Sequence, residues 1–311
     1  TNISMNDDYA GICGITKDEL LTQMSEDIEA LALKRNITKE QVVDRLKENY
    51  DGYHFTRFSP DIFNPYSLLN CFAENKFGSY WFSSGTPTYL INMMRKYEVV
   101  PTDVITRVEA DASEFDAPTE NMPTIMPLLY QSGYITIKEY NEDYNYYVLD
   151  VPNKEVKIGL TKALIPSYVT QNTLATTNTA RRIAQALDKQ NMDKALTLLQ
   201  TFLGTVPYCN NTNYEGHYQQ MLFVIFSLLT DYLVDVEVHT PNGRVDIVLL
   251  THKDLFLLEI KMNKSAQSAM QQINLKNYPN RFALSGKPIT KVAINFDSNK
   301  GNIENWVIEK A

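Results

Sequence analysis

The stretch Leu255-Phe256-Leu257-Leu258-Glu259-Ile260-Lys261 is apolar for four residues and then turns charged. Side chains alternate along a strand, so Leu255, Leu257, Glu259 and Lys261 share one face while Phe256, Leu258 and Ile260 share the other. Both faces are apolar as far as Leu258, which predicts a strand covered on both sides. A carboxylate and an ammonium at the end of such a strand are costly to desolvate unless something compensates them. Just upstream, Arg244-Val245-Asp246-Ile247-Val248-Leu249-Leu250 reads as a second buried strand, and Asp246 raises the same question.

Around these two strands the sequence supplies a compact set of neighbours. Tyr214 to Leu229 reads as a long helix, apolar in its second half, with Glu215 in its first turn. Val234 to Val238 alternates as a strand, Gly243 makes a turn, and Thr251 to Asp254 makes the next. From Ser265 a helix follows whose Gln272, Lys276 and Tyr278 are polar residues immediately downstream of the sheet. Taken alone, Glu-x-Lys is an ion pair that plugs the end of a sheet. Asp246 changes the balance, because it supplies a second carboxylate able to reach Glu259. Two carboxylates and one lysine leave a surplus negative charge that a divalent cation would neutralise.

The front of the chain is mostly helical. Thr16-Lys17-Asp18-Glu19 and Thr38-Lys39-Glu40-Gln41 are capping boxes, placing helices over 17–33 and 39–50. Asn64-Pro65 starts a short helix bearing Leu68, Leu69 and Phe72, and Thr86-Pro87 starts another. A helix near Thr124–Ser132 precedes Gly133, and the alternating runs Tyr134–Ile137 and Tyr146–Leu149 flank the turn Asn141-Glu142-Asp143. That is a winged-helix-like outline. The wing carries Glu139, Glu142, Asp143 and Asp150 against Lys138, so a structural role is expected of it. The threonine-rich stretch Thr170–Thr179 reads as a linker, with helices after it at 179–189 and 192–203.

Composition narrows the function classes. A chain of 311 residues, 44% hydrophobic, can bury a real core in two domains or more. Its formal charge of −8 argues against a protein that coats nucleic acid, though not against an enzyme with a local basic groove. Cys13, Cys71 and Cys209 are too far apart for a zinc knuckle, and the four histidines show no ligand spacing. No run of eighteen apolar residues and no basic-then-apolar leader is seen, so a cytoplasmic protein without a membrane span is expected.

The order of these features resembles PD-(D/E)XK nuclease domains, and within them the bacterial proteins in which an AAA-ATPase-like domain precedes the nuclease. The matching residues are Gly243-Arg244-Val245-Asp246, Glu259-Ile260-Lys261, Gln272-Ile273-Asn274-Leu275-Lys276-Asn277-Tyr278 and the helix Tyr214-Glu215-Gly216-His217-Tyr218-Gln219. At the front, Gly14-Ile15-Thr16, Asn49-Tyr50-Asp51-Gly52-Tyr53, Phe63-Asn64-Pro65-Tyr66-Ser67, Tyr80-Trp81, Gln131-Ser132-Gly133-Tyr134 and Val151-Pro152-Asn153 resemble the distal half of the ATPase-like domain. No Gly-x-x-x-x-Gly-Lys-Ser/Thr loop exists, and Ser285-Gly286-Lys287-Pro288 lacks the hydroxyl residue that holds Mg²⁺. The chain opens Thr1-Asn2-Ile3 without a methionine, which fits either processing or an excerpt of something longer. Because the match begins well inside the ATPase-like region, the nucleotide-binding half is expected to be missing, and no ATP hydrolysis is expected of these residues.

The resemblance implies an α/β chain, α+β overall. Residues 1–100 would be the distal helical, lid-like part of the ATPase-like domain, and 101–170 a winged-helix-like unit. Residues 171–311 would hold linker helices and a restriction-endonuclease-like αβββαβ core. Asp246 and Glu259, with the Ile260 carbonyl, would bind Mg²⁺ or Mn²⁺; Lys261 would orient the attacking water. Glu215 would bind a second metal or hold water, Gln272 would position backbone or water, and Arg244 and Tyr278 would contact substrate. Nucleic acid is the implied partner, DNA ahead of RNA, beside a protein partner or the missing ATPase half; oligomeric state stays open. Each role has a plainer counterpart: Glu215 as a helix-dipole partner, Gln272 as a solvated helix residue, Tyr278 as packing. Two rivals remain: a catalytically silent nuclease fold that only binds, and a front domain whose Tyr53, Phe55, Tyr80 and Trp81 dock a partner.

Overall fold

The structure is a computed structural model that describes residues 5–82, 88–99, 101–104, 107–119, 122–168, 173–205, 221–222, 224–229, 235–239, 245–251, 253–275 and 286–310. It divides into two compact units, Thr1–Ala163 and Leu164–Ala311. Both mix helices with sheets, as the alternating and helical sequence patterns require.

In the first unit, Lys17–Gln23 and Lys39–Tyr50 are helices that begin on complete capping boxes at Thr16 and Thr38. The expected 17–33 helix is two, Lys17–Gln23 and Ser25–Arg35, because Met24 leaves helical geometry between them. Asn64 caps Pro65–Glu74 by accepting the Ser67 N–H. Leu20, Leu31, Leu46, Tyr50, Phe63, Leu68 and Cys71 form the core among these helices and the short pair β1 (Ile15–Thr16) and β2 (Ile62–Phe63). Burial pushes the Cys71 thiol up to about 11, so it is a packing group. The helix expected from Thr86-Pro87 is described over Thr88–Lys96, its two signal residues lying outside the described residues.

The winged outline has one strand more than expected. β3 (Val108–Ala110), which precedes the Met126–Gln131 helix, joins β4 (Thr136–Asn141) and β5 (Tyr146–Asp150), which follow it, in a sheet of order β3-β5-β4. Its lysine is committed to the fold: Lys138 Nζ donates to the carbonyls of Gly52 at 2.7 Å and Pro152 at 2.9 Å. Gly52 adopts φ +91°, and a Cβ there would stand 2.4 Å from the Pro152 carbonyl oxygen. Tyr53 is buried with Ile62 and Val156, and Phe55, Trp81 and Tyr134 pack against that cluster. The Trp81 ring meets Tyr134 edge-on at 5.4 Å. Of the four aromatic residues singled out as a docking surface, Tyr53, Phe55 and Trp81 thus share one cluster, while Tyr80 packs against the helical core.

In the second unit the threonine-rich stretch is not a linker from Thr173 onward. It opens a helix, Thr173–Asp188, whose Thr176, Ala180, Ile183, Ala184 and Leu187 are buried at helical spacing. Threonine and asparagine at 176–179 break up the apolar pattern in the sequence, and burial of the stripe outweighs the weak helix propensity of threonine. The Met192–Leu203 helix packs against it, and its Gln200 side chain donates to the Ile303 carbonyl at 2.8 Å. Residues 221–222 and 224–229 are helical and buried, in the second half of the expected 214–229 helix; residues 214–220 and 223 lie outside the described set.

The second unit centres on a five-stranded sheet, β10-β9-β8-β7-β6. β6 (Asp235–His239), β7 (Val245–Leu250) and β8 (Leu255–Met262) run as an antiparallel meander. The Ala266–Leu275 helix then crosses over to β9 (Ile289–Asp297), which lies parallel to β8, as a crossover helix permits. β10 (Asn302–Lys310) returns antiparallel to β9. This is the expected αβββαβ order with one added edge strand. β8 sits in the middle of the sheet and is buried along its length except at Lys261.

Asp51 gives a test of the first unit. Its side chain is 7% exposed, Oδ1 has no hydrogen-bond partner, and desolvation raises the carboxyl from 3.8 to about 6. The folded state therefore holds a proton that the unfolded state releases between about pH 4 and pH 6. Stability falls across that window and the full cost applies above it. Asp51→Asn should stabilise this unit by at most about 3 kcal/mol at pH 7 and by nothing below about pH 4, measured by urea unfolding across pH.

Candidate active site

The ladder of the sheet brings the predicted residues to one place. In the antiparallel β7–β8 pair Asp246 stands directly opposite Glu259, and Val245 opposite Ile260. Cross-strand partners on one face have Cβ atoms about 5 Å apart, so this register is the one that lets two carboxylates serve a common site. The Asp246 side chain lies outside the described set. On β8, Glu259 is 1% exposed, and its Oε1 lies 3.0 Å from Lys261 Nζ, itself 12% exposed. The i, i+2 spacing in a strand puts both groups on the same face, which is why Glu-x-Lys can pair.

That face is the one covered by the Ala266–Leu275 helix. Glu259 is in parallel register with Ala293, and Ala293 packs against Ala269, Met270 and Ile273 of that helix. Gln272 neighbours Ile273 on the helix and is half-buried. The helix begins at Ser265, whose hydroxyl accepts the Ser268 N–H at 3.2 Å. Glu215, Arg244 and Tyr278 lie outside the described residues.

Sequence reasoning missed Asn295. It lies on β9 in register with Lys261, is 6% exposed, and donates through Nδ2 to Glu304 Oε2 at 2.7 Å. Its signal was available as the one polar residue inside Val292-Ala293-Ile294-Asn295-Phe296, an otherwise apolar run. Beside it, Glu304 Oε1 accepts from Lys300 at 3.4 Å, and Lys300 also pairs with Asp297 at 3.0 Å. These contacts hold the Asp297 carboxyl below, and the Lys300 ammonium above, their ordinary ranges; in both cases the hydrogen bond between them is the largest cause.

Lys261 pairs with the buried Glu259, and the register sets a second acidic position, Asp246, opposite that glutamate. Carboxylate oxygens are hard donors of the kind that Mg²⁺ and Mn²⁺ take. The residues at this sheet end therefore fit a divalent cation. They do not fit zinc, which favours nitrogen and sulfur ligands, since β8 and β9 bring neither histidine nor cysteine here.

The PD-(D/E)XK nuclease superfamily matches residues 213–306, a span that takes in the whole meander, the crossover helix and both later strands up to Trp306. This segment is a PD-(D/E)XK domain. An uncharacterized protein in the vnfD 5′ region of Azotobacter chroococcum mcd 1 is 26% identical over 317 residues, covering 99% of this chain and 58% of that protein. The chain thus spans somewhat more than half the length of that relative. No solved structure matches it. In the PD-(D/E)XK domain the paired acidic register and the Glu-x-Lys strand are the parts that could carry chemistry.

A buried carboxylate left without its lysine is costly. Lys261→Met should destabilise the second unit by about 3 kcal/mol, as breaking a buried pair does, and adding Glu259→Gln should recover most of that loss. Urea unfolding of both variants measures the two changes; equal losses in the single and double variants would mean that Lys261 acts by packing alone.

Proposed function

We propose that the PD-(D/E)XK domain is a divalent-metal-dependent nuclease that hydrolyses phosphodiester bonds. The observation that carries this reading is the pairing of Asp246 with Glu259 across β7 and β8, with Lys261 at 3.0 Å from Glu259, at the end of a buried central strand. Asp246, Glu259 and the Ile260 carbonyl would hold Mg²⁺ or Mn²⁺. Such a cation supplies polarisation of the phosphate and acidification of a water. Lys261 orients that water for in-line attack and offsets charge that develops on the phosphate oxygens. Gln272 positions the water or the substrate backbone from the covering helix. Glu215 would bind a second metal or hold the water network, and Arg244 and Tyr278 would contact the substrate.

In this reading residues 1–100 are the distal part of an ATPase-like domain, residues 101–170 a winged-helix-like unit, and 171–311 the linker helices with the nuclease. Without a phosphate-binding loop the chain hydrolyses no ATP. The substrate is nucleic acid, DNA ahead of RNA. The first unit contributes little affinity for it, since the wing's Lys138 is spent on backbone carbonyls and Arg107 on Glu139 at 2.7 Å. Among the described residues no helix is long and apolar enough to cross a membrane.

A second reading, a nuclease fold that binds without cutting, is favoured by the net charge of −8. Calorimetric titration with Mn²⁺ and Mg²⁺, followed by incubation with labelled DNA and RNA, separates the two. The nuclease reading expects saturable metal binding and cleavage in the wild type, both lost in Asp246→Ala, with cleavage down by at least about 100-fold. Metal binding without cleavage of any strand would favour the silent fold. No metal binding at all would sink the catalytic reading.

A further inference from the structure

Asn295 is buried in the second unit with half of its amide at work. Nδ2 donates to Glu304 at 2.7 Å, while Oδ1 finds no hydrogen-bond partner among the described residues. The donor bond fixes which way the amide points, because a carboxylate can only accept. A buried acceptor without a donor costs about 1–3 kcal/mol, so its persistence at a sheet end beside charged groups calls for a state in which it is satisfied. The neighbouring donors are committed elsewhere. Asn263 Nδ2 donates to Ser298 Oγ at 2.7 Å, and Lys300 bridges Asp297 and Glu304. Lys261 remains, in parallel register with Asn295 and on the same face. It carries three donor hydrogens on a flexible stem, and its ammonium leans on Glu259.

We propose that Asn295 is a positioning residue for Lys261: when a divalent cation takes the Glu259 carboxylate, Lys261 moves its ammonium to the Asn295 Oδ1 acceptor. The proposal rests on the metal-dependent reading of the site. Lys261 neutralises Glu259 while no cation is bound, and a cation makes that contact redundant and repels the ammonium. An idle neutral acceptor one strand away receives it without adding charge. Glu304 holds the amide through Nδ2, which leaves Oδ1 open, so the acceptor is in place before the cation arrives. The lysine is thereby held beside the phosphate position rather than released to solvent.

The test is a double-mutant cycle read by Mn²⁺ titration calorimetry, with no turnover involved. Asn295→Leu should weaken Mn²⁺ binding about 5- to 10-fold in the wild-type background and less than about 2-fold when Lys261→Met is already present. Should the leucine variant fail to fold by circular dichroism, Asn295→Ala, which adds no bulk, completes the same cycle. Equal weakening in both backgrounds, or none in either, overturns the proposal while the metal site itself stands. Absence of saturable Mn²⁺ binding in the wild-type chain overturns the metal reading, and this proposal with it.

Discussion

An ion pair that is nearly dry, Glu259 with Lys261 at 3.0 Å, is the constraint around which the second unit is arranged. Placing a carboxylate at 1% exposure on the central strand of a sheet is unfavourable unless charge is balanced within a few ångström. The strand itself cannot move: β8 is bonded to β7 on one edge and to β9 on the other, and Leu255 to Leu258 are buried on both faces. The register therefore transmits position. Sliding β7 by one residue would take Asp246 away from Glu259 and turn its apolar neighbours to the wrong side. The apolar halves of β7 and β8 thus set where the acidic ends meet.

Much of this was legible because strand arithmetic is simple. The i, i+2 spacing of Glu259 and Lys261 and the apolar run before them require a doubly covered strand, and the ladder has that form. The capping boxes at Thr16 and Thr38 were equally plain, since a threonine followed three residues later by Glu19 or Gln41 satisfies two orphan N–H groups at once. What escaped reading is physical too. The first turns of Thr173–Asp188 read as a linker because threonines and an asparagine crowd residues 173–179, and burial of Thr176 ahead of Ala180, Ile183 and Leu187 continues the helical stripe into them. β3 is three residues long and has too few positions to show alternation. Asn295 was invisible for another reason: its meaning comes from the neighbour in register, and parallel pairing across a crossover leaves no local trace in sequence.

The two units handle buried charge in different ways. In the first, Glu155 is 3% exposed, yet its Oε1 collects the N–H groups of Tyr80 and Trp81, so the carboxylate replaces a missing secondary structure at that turn. Desolvation raises it, and these hydrogen bonds pull the other way. Backbone donors are fixed, so the arrangement serves the fold and has no second state. Lys138 is its counterpart, with an ammonium held by the Gly52 and Pro152 carbonyls. Desolvation lowers that lysine more than the nearby acidic residues raise it.

At the sheet end of the second unit the partners are side chains, and side chains can exchange. A lysine with three donors, a glutamate and an asparagine with an idle oxygen form a set with more than one low-energy pairing. A purely structural plug gains nothing from that surplus, because a buried acceptor left open costs stability without return. A hydrophobic residue at position 295 would pack the Val292–Phe296 run better. Retaining an amide there makes physical sense if the charge at Glu259 is neutralised in two ways at different times, by Lys261 and by a cation. The same surplus that weakens the resting fold is what lets the lysine change partners without leaving the site.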